Sequence, residues 1–202
     1  TVQQLQEAAD RVESFSASAA ERLRDAAGRI ADIDNECPSG FCEPPTPPPA
    51  TGGDATCDGE TATIVGTSRD DPIAGTVGRD VISALAGDDL VTGLGGDEVI
   101  CGDEGNDNLL GGTGFLDKIF GGPGDDNMEG GDGNDWRNGG ADFDSMFGDA
   151  GIDDMEGGAI EDMLFGDAGD DALDGGAGID YGLGGPDFDT CVNLETVVEC
   201  EA

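Results

Sequence analysis

GDEGNDNLL (102–110), GGPGDDNME (121–129), GGDGNDWRN (130–138), GDAGIDDME (148–156) and GDAGDDALD (166–174) are variants of one nine-residue unit. Each opens on glycine, carries glycine again at the fourth place and an acid at the sixth. All but one place an apolar residue eighth, and Arg137 is the exception. Working outward, units begin at residues 57, 66, 75, 84, 93, 102, 111, 121, 130, 139, 148, 157, 166, 175 and 184, and GGTGFLDKIF (111–120) has one residue extra. The sixth-place acids are Asp71, Asp80, Asp89, Glu98, Asp107, Asp117, Asp126, Asp135, Asp144, Asp153, Asp162, Asp171, Asp180 and Asp189. An ordinary core has no use for a carboxylate at a fixed period, because each one taken from water must be paired or bound to a metal.

The unit dictates local structure. Glycines at the first, second and fourth places supply the positive φ of a tight turn, and they let carbonyl oxygens converge. The three residues after the acid form a short strand with its middle residue inward: Ile64, Ile73, Ile82, Val91, Ile100, Leu109, Ile119, Met128, Met146, Met155, Leu164 and Leu173. One unit gives one turn and one strand, so two units make a coil and the stretch predicts about seven coils. Coils stacked at about 4.8 Å form two parallel sheets around a thin aliphatic core. Turns on one edge recur every second unit and bring each acid to the loop of the next coil. Carboxylates and carbonyls make an all-oxygen site for a hard divalent ion, and flexible loops favour calcium over magnesium, which demands an octahedron. Sites between same-edge neighbours predict about ten ions once irregular units are set aside.

Charge supports this reading. The chain has 202 residues, 46 acidic against 8 basic, and a net charge of −38. From Cys57 onward there are 36 acids and 4 bases, a net of −32, and about ten calcium ions would bring that to about −12. A metal-free rod of this density repels itself, so folding and metal binding are expected to be one event. Nucleic acid and anionic membranes are poor partners for such a surface. No apolar run reaches the ~18 residues of a membrane span. Histidine is absent, which excludes a Ser-His-Asp triad and an H-E-x-x-H site, and no G-x-S-x-G elbow is present. A non-enzyme is expected.

The units resemble the haemolysin-type, or RTX, calcium-binding nonapeptide G-G-x-G-x-D-x-U-x. The resemblance covers about two thirds of the chain and implies a mainly β fold, a right-handed parallel β-roll (a β-solenoid) with calcium between loops of successive coils. CDGETATIVGT, DEVICGDEGNDNLLGG and DTCVNLETVVEC are also similar to a group of secreted bacterial calcium-binding proteins with cysteine-marked ends.

Several units depart from the pattern. Arg69, Asp142, Ile160 and Asp187 take the fourth place; Asp tolerates positive φ, whereas β-branched Ile does not. Arg137 is expected to bulge its strand or turn outward, and Gly182 to leave a hole. The middle and late sites are accordingly expected to be less regular than the early ones.

Four segments result. Residues 1–36 read as an amphipathic N-terminal α-helix: Val2, Leu5, Ala9, Val12, Ser16, Ala19, Leu23, Ala26, Ile30 and Ile33 form a heptad seam. It suits either a helix lying on its own roll or self-association with another copy. Residues 37–56 hold Cys37, Cys42 and a Pro-rich linker, 57–192 the roll, and 193–202 a C-terminal disulfide cap. Six cysteines without a C-x-x-C pair suit disulfides and an oxidising compartment. Cys37–Cys42 and Cys191–Cys200 are the natural local pairs, leaving Cys57 with Cys101, although sequence alone leaves 15 connectivities open. The chain opens at Thr1 without an initiator Met, which suits a processed form. The expected function is an extracellular calcium-binding protein, secreted or at the cell surface, with a structural, self-assembling role in a filament, surface layer or matrix. The alternative is a monomeric calcium-binding or adhesive module whose helix caps its own roll.

Overall fold

The computed structural model describes residues 55–200. The expected helix over 1–36, most of the linker and the Cys37–Cys42 pair lie outside the described residues.

Every unit gives a strand, and alternate strands go to alternate sheets. One eight-stranded sheet contains Ile64–Val65, Val81–Ser83, Val99–Cys101, Lys118–Pro123, Trp136–Ala141, Asp154–Ala159, Ala172–Ala177 and Thr190–Val192. The other contains Pro72–Ala74, Leu90–Gly95, Asn108–Thr113, Asn127–Asp132, Ser145–Ala150, Met163–Phe165, Tyr181–Leu183 and Thr196–Val198. All pairings within both sheets are parallel, and like places align: Met128 stands opposite Leu109 and Met146, and Met155 opposite Leu173. The fold is a parallel β-solenoid.

It has eight coils rather than the expected seven or so. Fifteen units supply fifteen strands, and the sixteenth, Thr196–Val198, comes from the closing segment and pairs with Tyr181–Leu183. This strand breaks the nine-residue period because the turn before it is short. The extra residue of unit 111–120 stays in its turn: the Phe115 and Leu116 amides both face Asp97 Oδ1, at 3.0 and 3.4 Å. Lys118 therefore still aligns with both Val99 and Trp136.

The core is the eighth place of each unit. Ile82, Val91, Ile100, Leu109, Ile119, Met128, Met146, Met155, Leu164 and Leu173 are buried in one continuous cluster, which Ala84 joins and Ile64, Ile73, Cys191 and Leu194 flank. The hole expected at Gly182 is filled. A Cβ there would fall on Leu194 Cδ1, a side chain from the closing segment. Ile160 adopts φ 81° despite its branched Cβ, and Asp142 and Asp187 do so at 76° and 94°. The stacked turns fix that conformation against an intrinsic cost of about 1–2 kcal/mol for Ile.

The start of the described chain folds back as a hairpin, Thr56–Cys57 paired with Glu60–Thr61. Asp58 and Gly59 both have positive φ, 49° and 77°, as a two-residue type I′ turn requires. Cys57 is disulfide-bonded to Cys101 with Cα atoms 5.7 Å apart. The hairpin thereby covers Val81 and Val99 on the outer face of the first sheet, as a second small apolar cluster. Surface ion pairs Lys118–Asp58 and Arg79–Glu60, each at 2.6 Å, orient it but add little energy. Elsewhere aromatic side chains stack outside the sheets, Phe147 on Phe165 with ring centroids 4.9 Å apart.

Candidate metal centres

The sixth-place acids run up the two edges as separate rows: Asp71, Asp89, Asp107, Asp126, Asp144, Asp162 and Asp180 on one, and Asp80, Glu98, Asp117, Asp135, Asp153, Asp171 and Asp189 on the other. All are buried except Asp71, which is half-buried. Within each row the carboxylates form a ladder. Except between Asp80 and Glu98, the amide of each acid donates to Oδ1 of the acid one coil on: Asp89 to Asp107 and Asp117 to Asp135 at 2.8 Å, Asp144 to Asp162 at 2.9 Å, Asp171 to Asp189 at 3.0 Å. Asp180 has no repeat acid ahead of it, and its amide donates to Glu195 Oε2 at 2.7 Å.

That ladder uses one oxygen of each row aspartate from Asp89 onward. The other has no hydrogen-bond partner in Asp89, Asp107, Asp117, Asp126, Asp135, Asp144, Asp153, Asp162, Asp171, Asp180 and Asp189; in Glu98 both oxygens are bare. Twelve such residues in one small fold are far outside the usual few unsatisfied groups. Each bare oxygen must carry a proton or meet a cation. Burial pushes these carboxyls up: Asp107 and Asp171 to about 6, Asp89, Asp153 and Asp162 to about 7, Asp126 to about 8 and Asp144 to about 9. Glu98 rises to about 8 through burial first and its neighbour Asp117 second. Backbone amides pull back on these seven aspartates, yet desolvation wins at each of the seven.

The bare oxygens have carbonyls beside them. A Cβ on Gly102 would fall on Asp107 Oδ2 and on the Gly121 carbonyl, and the same holds at Gly121 for Asp126 and Gly139, and at Gly139 for Asp144 and Gly157. The first-place glycine thus keeps open a pocket bounded by its own unit's carboxylate and by the carbonyl of the first-place residue one coil on. Among the described residues no three acidic or cysteine side chains meet at one point, so main-chain carbonyls must supply most of the oxygens.

The first two acids differ. Asp71 Oδ2 accepts the amide and hydroxyl of Thr67, both at 2.7 Å, and Asp80 Oδ2 accepts those of Thr76 at 2.6 and 2.9 Å. Threonine replaces the second-place glycine in these units. The expectation that early sites are the regular ones is therefore reversed: the ladder is most uniform in the middle and late coils.

Arg137 also departs from expectation. Its strand keeps register with Ile119 and Met155, and its side chain points inward with 0 % exposure. Its guanidinium reaches the loop edge, where Nη1 donates to the Phe147 carbonyl at 2.7 Å and Nη2 lies 3.3 Å from Asp153 Oδ1. A bulge would have broken two parallel pairings.

A second ladder was not anticipated. At the fifth place Asp88 Oδ1 accepts the Asn106 amide, Asn106 Oδ1 the Asp125 amide and Asp125 Oδ1 the Phe143 amide, at 3.1, 2.8 and 3.1 Å. In sequence these residues read as ordinary surface charge.

A donor set of oxygens alone, in turns of this period, agrees with the match of the chain to the RTX calcium-binding nonapeptide repeat over residues 65–100, 74–109, 102–136, 111–146 and 147–182. Together these matches run unbroken from 65 to 182. The chain belongs to the RTX calcium-binding repeat family. RTX repeats bind calcium, and the orphaned carboxylate oxygens and the carbonyls beside them in the glycine-lined pockets fit that ion. No curated protein matches the RTX chain.

Proposed function

We propose that this protein is an extracellular calcium-binding β-roll with a structural role, folding on calcium and associating with other copies in a filament, surface layer or matrix. The observation that carries the calcium-coupled part is the set of twelve buried acids, each with at least one carboxylate oxygen lacking a partner. Ionised and metal-free, they oppose the fold; neutralised by calcium, they hold successive coils together. The ions lie in the glycine-lined pockets against these acids, about ten in all. Asp71 and Asp80, whose second oxygens are held by Thr67 and Thr76, serve as metal-free ends of the two rows.

An extracellular setting is supported by the disulfides Cys57–Cys101 and Cys191–Cys200, with no free cysteine among the described residues, since such bonds persist in oxidising compartments. Among the described residues no helix is long and apolar enough to cross a membrane. Association is supported by the heptad seam in residues 1–36. The second reading, a monomeric module, is favoured by the closure of the C-terminal coil by its own chain: Leu194 covers Gly182 and Glu195 receives the Asp180 amide. No catalytic role is proposed.

Circular dichroism with and without calcium tests the coupling. In excess chelator at neutral pH and low salt the β signal should be lost. Millimolar calcium should restore it, and equal magnesium should do so poorly. A full β spectrum in chelator under those conditions overturns the proposal.

A further inference from the structure

We propose that Arg137 is a fixed cation standing in for one calcium ion, in the pocket between Asp135 and Asp153. This inference rests on the calcium reading above. In the other pockets compared, the space beside the first-place glycine is bounded by two oxygens: Asp117 Oδ2 and the Gly130 carbonyl at Gly111, Asp126 Oδ2 and the Gly139 carbonyl at Gly121. At Gly130 the corresponding oxygens are Asp135 Oδ2 and the Gly148 carbonyl. There a Cβ would first fall on Arg137 Nη1, with Asp135 Oδ2 next.

The guanidinium is held in that pocket. Nη1 donates to the Phe147 carbonyl at 2.7 Å and lies 3.5 Å from the Gly148 carbonyl, while Nη2 lies 3.3 Å from Asp153 Oδ1. Both partners of the ion pair have fully buried side chains. Carbonyl oxygens and a carboxylate around a positive centre are the surroundings this fold offers a metal, and here the centre is covalently part of the chain. An arginine at this place would be strongly disfavoured in an aliphatic core without such partners. Its eighth-place neighbours on the same sheet, Ile119 and Met155, show what the core alone would select. One pocket of the Asp80–Asp189 row thus holds a cation whether or not calcium is present.

Native mass spectrometry and calorimetry of the full chain in calcium provide the test, comparing wild type with Arg137→Met and Arg137→Leu. Each variant should bind one calcium more than wild type. At calcium concentrations just sufficient to fold the roll, amides of residues 127–159 should exchange more slowly in wild type than in either variant. Equal, non-zero calcium counts in all three proteins would overturn the inference while leaving the calcium reading intact. Absence of calcium binding in all three would overturn the calcium reading and this inference with it. Failure of both variants to fold at saturating calcium also counts against the inference, because an ion should then replace the missing charge.

Discussion

The amide of Asp126 donates to Oδ1 of Asp144 at 2.9 Å across one coil step, while Oδ2 of Asp144 is buried and accepts no hydrogen bond. One carboxylate therefore does two separable jobs, holding the neighbouring coil with one oxygen and presenting the other to a cation.

The two jobs can be separated by mutation. Asp126→Ala removes the acceptor for the Asp107 amide and should cost roughly 1–3 kcal/mol through that buried donor, together with one calcium. Asp126→Asn keeps an oxygen for the amide and should lose mainly the ion. Asp132→Ala, at an exposed third place, should stay within about 0.5 kcal/mol. Calorimetry and thermal melting in calcium read both quantities; equal losses at Asp126 and Asp132 would show that bulk charge, not site geometry, holds the metal.

Without metal, acid should favour the fold. Eight of the row carboxyls (Asp89, Glu98, Asp107, Asp126, Asp144, Asp153, Asp162 and Asp171) are raised by burial to values between about 6 and about 9, from an ordinary value near 4. Protonation at these groups favours the folded state below about pH 4, and that contribution is lost as pH rises through 6 to 9. The calcium-bound roll should behave in the opposite sense, because ions must displace those protons: the calcium concentration for half-folding should rise as pH falls. Circular dichroism in chelator at pH 4.5 and 8.5 checks the sign, and more β signal at 8.5 would contradict it.

Glycine at the first place should matter for space alone. Gly139→Ala drives a methyl into Asp144 Oδ2 and the Gly157 carbonyl, whereas Gly78→Ala meets only Thr76 Oγ1 at 4.0 Å. The first should abolish one calcium site by ion counting and lower the melting temperature. The second should be near neutral, within about 0.5 kcal/mol.

The Cys57–Cys101 bond closes a separation of 44 residues, worth about 4 kcal/mol on chain-entropy grounds. Replacing both by Ser should lower stability in calcium by up to that amount and free the hairpin from Val81 and Val99. The roll should keep its calcium count, since neither cysteine lines a metal pocket. Melting curves and ion counts on the double variant test both statements.

If residues 1–36 mediate association, Leu23→Asp with Ile30→Asp should abolish it, each buried side chain being worth about 1.5–3 kcal/mol. Light scattering in calcium reads the outcome. A monomeric wild type at high concentration would favour the second reading, in which the same change should instead lower the melting temperature.

The sheets and their core were legible because the period fixes them: an apolar residue every nine positions can face only one interior. Arg137 was misread for a reason of the same kind. Hydropathy places a lone arginine outside, and only the carbonyls and Asp153 of the following loop make the inside tolerable. Thr67 and Thr76 did leave a trace in the sequence, threonine where glycine belongs, but a hydroxyl closing a carboxylate is a matter of distance that spacing cannot supply. The eighth coil escaped because Thr196–Val198 follows no unit, and Glu195 because it lies off the period of the row it completes.

Every rung of the acid ladder points the same way, with the donor in the earlier coil and the acceptor in the later one, and the row through Asp180 finishes on Glu195. The two ends of the molecule are therefore not interchangeable. Shortening from the N-terminal side discards donors and leaves acceptors that water can satisfy. Shortening from the C-terminal side strands a buried amide each time, and a chain growing from its N-terminus has no finished coil until the one after it has arrived.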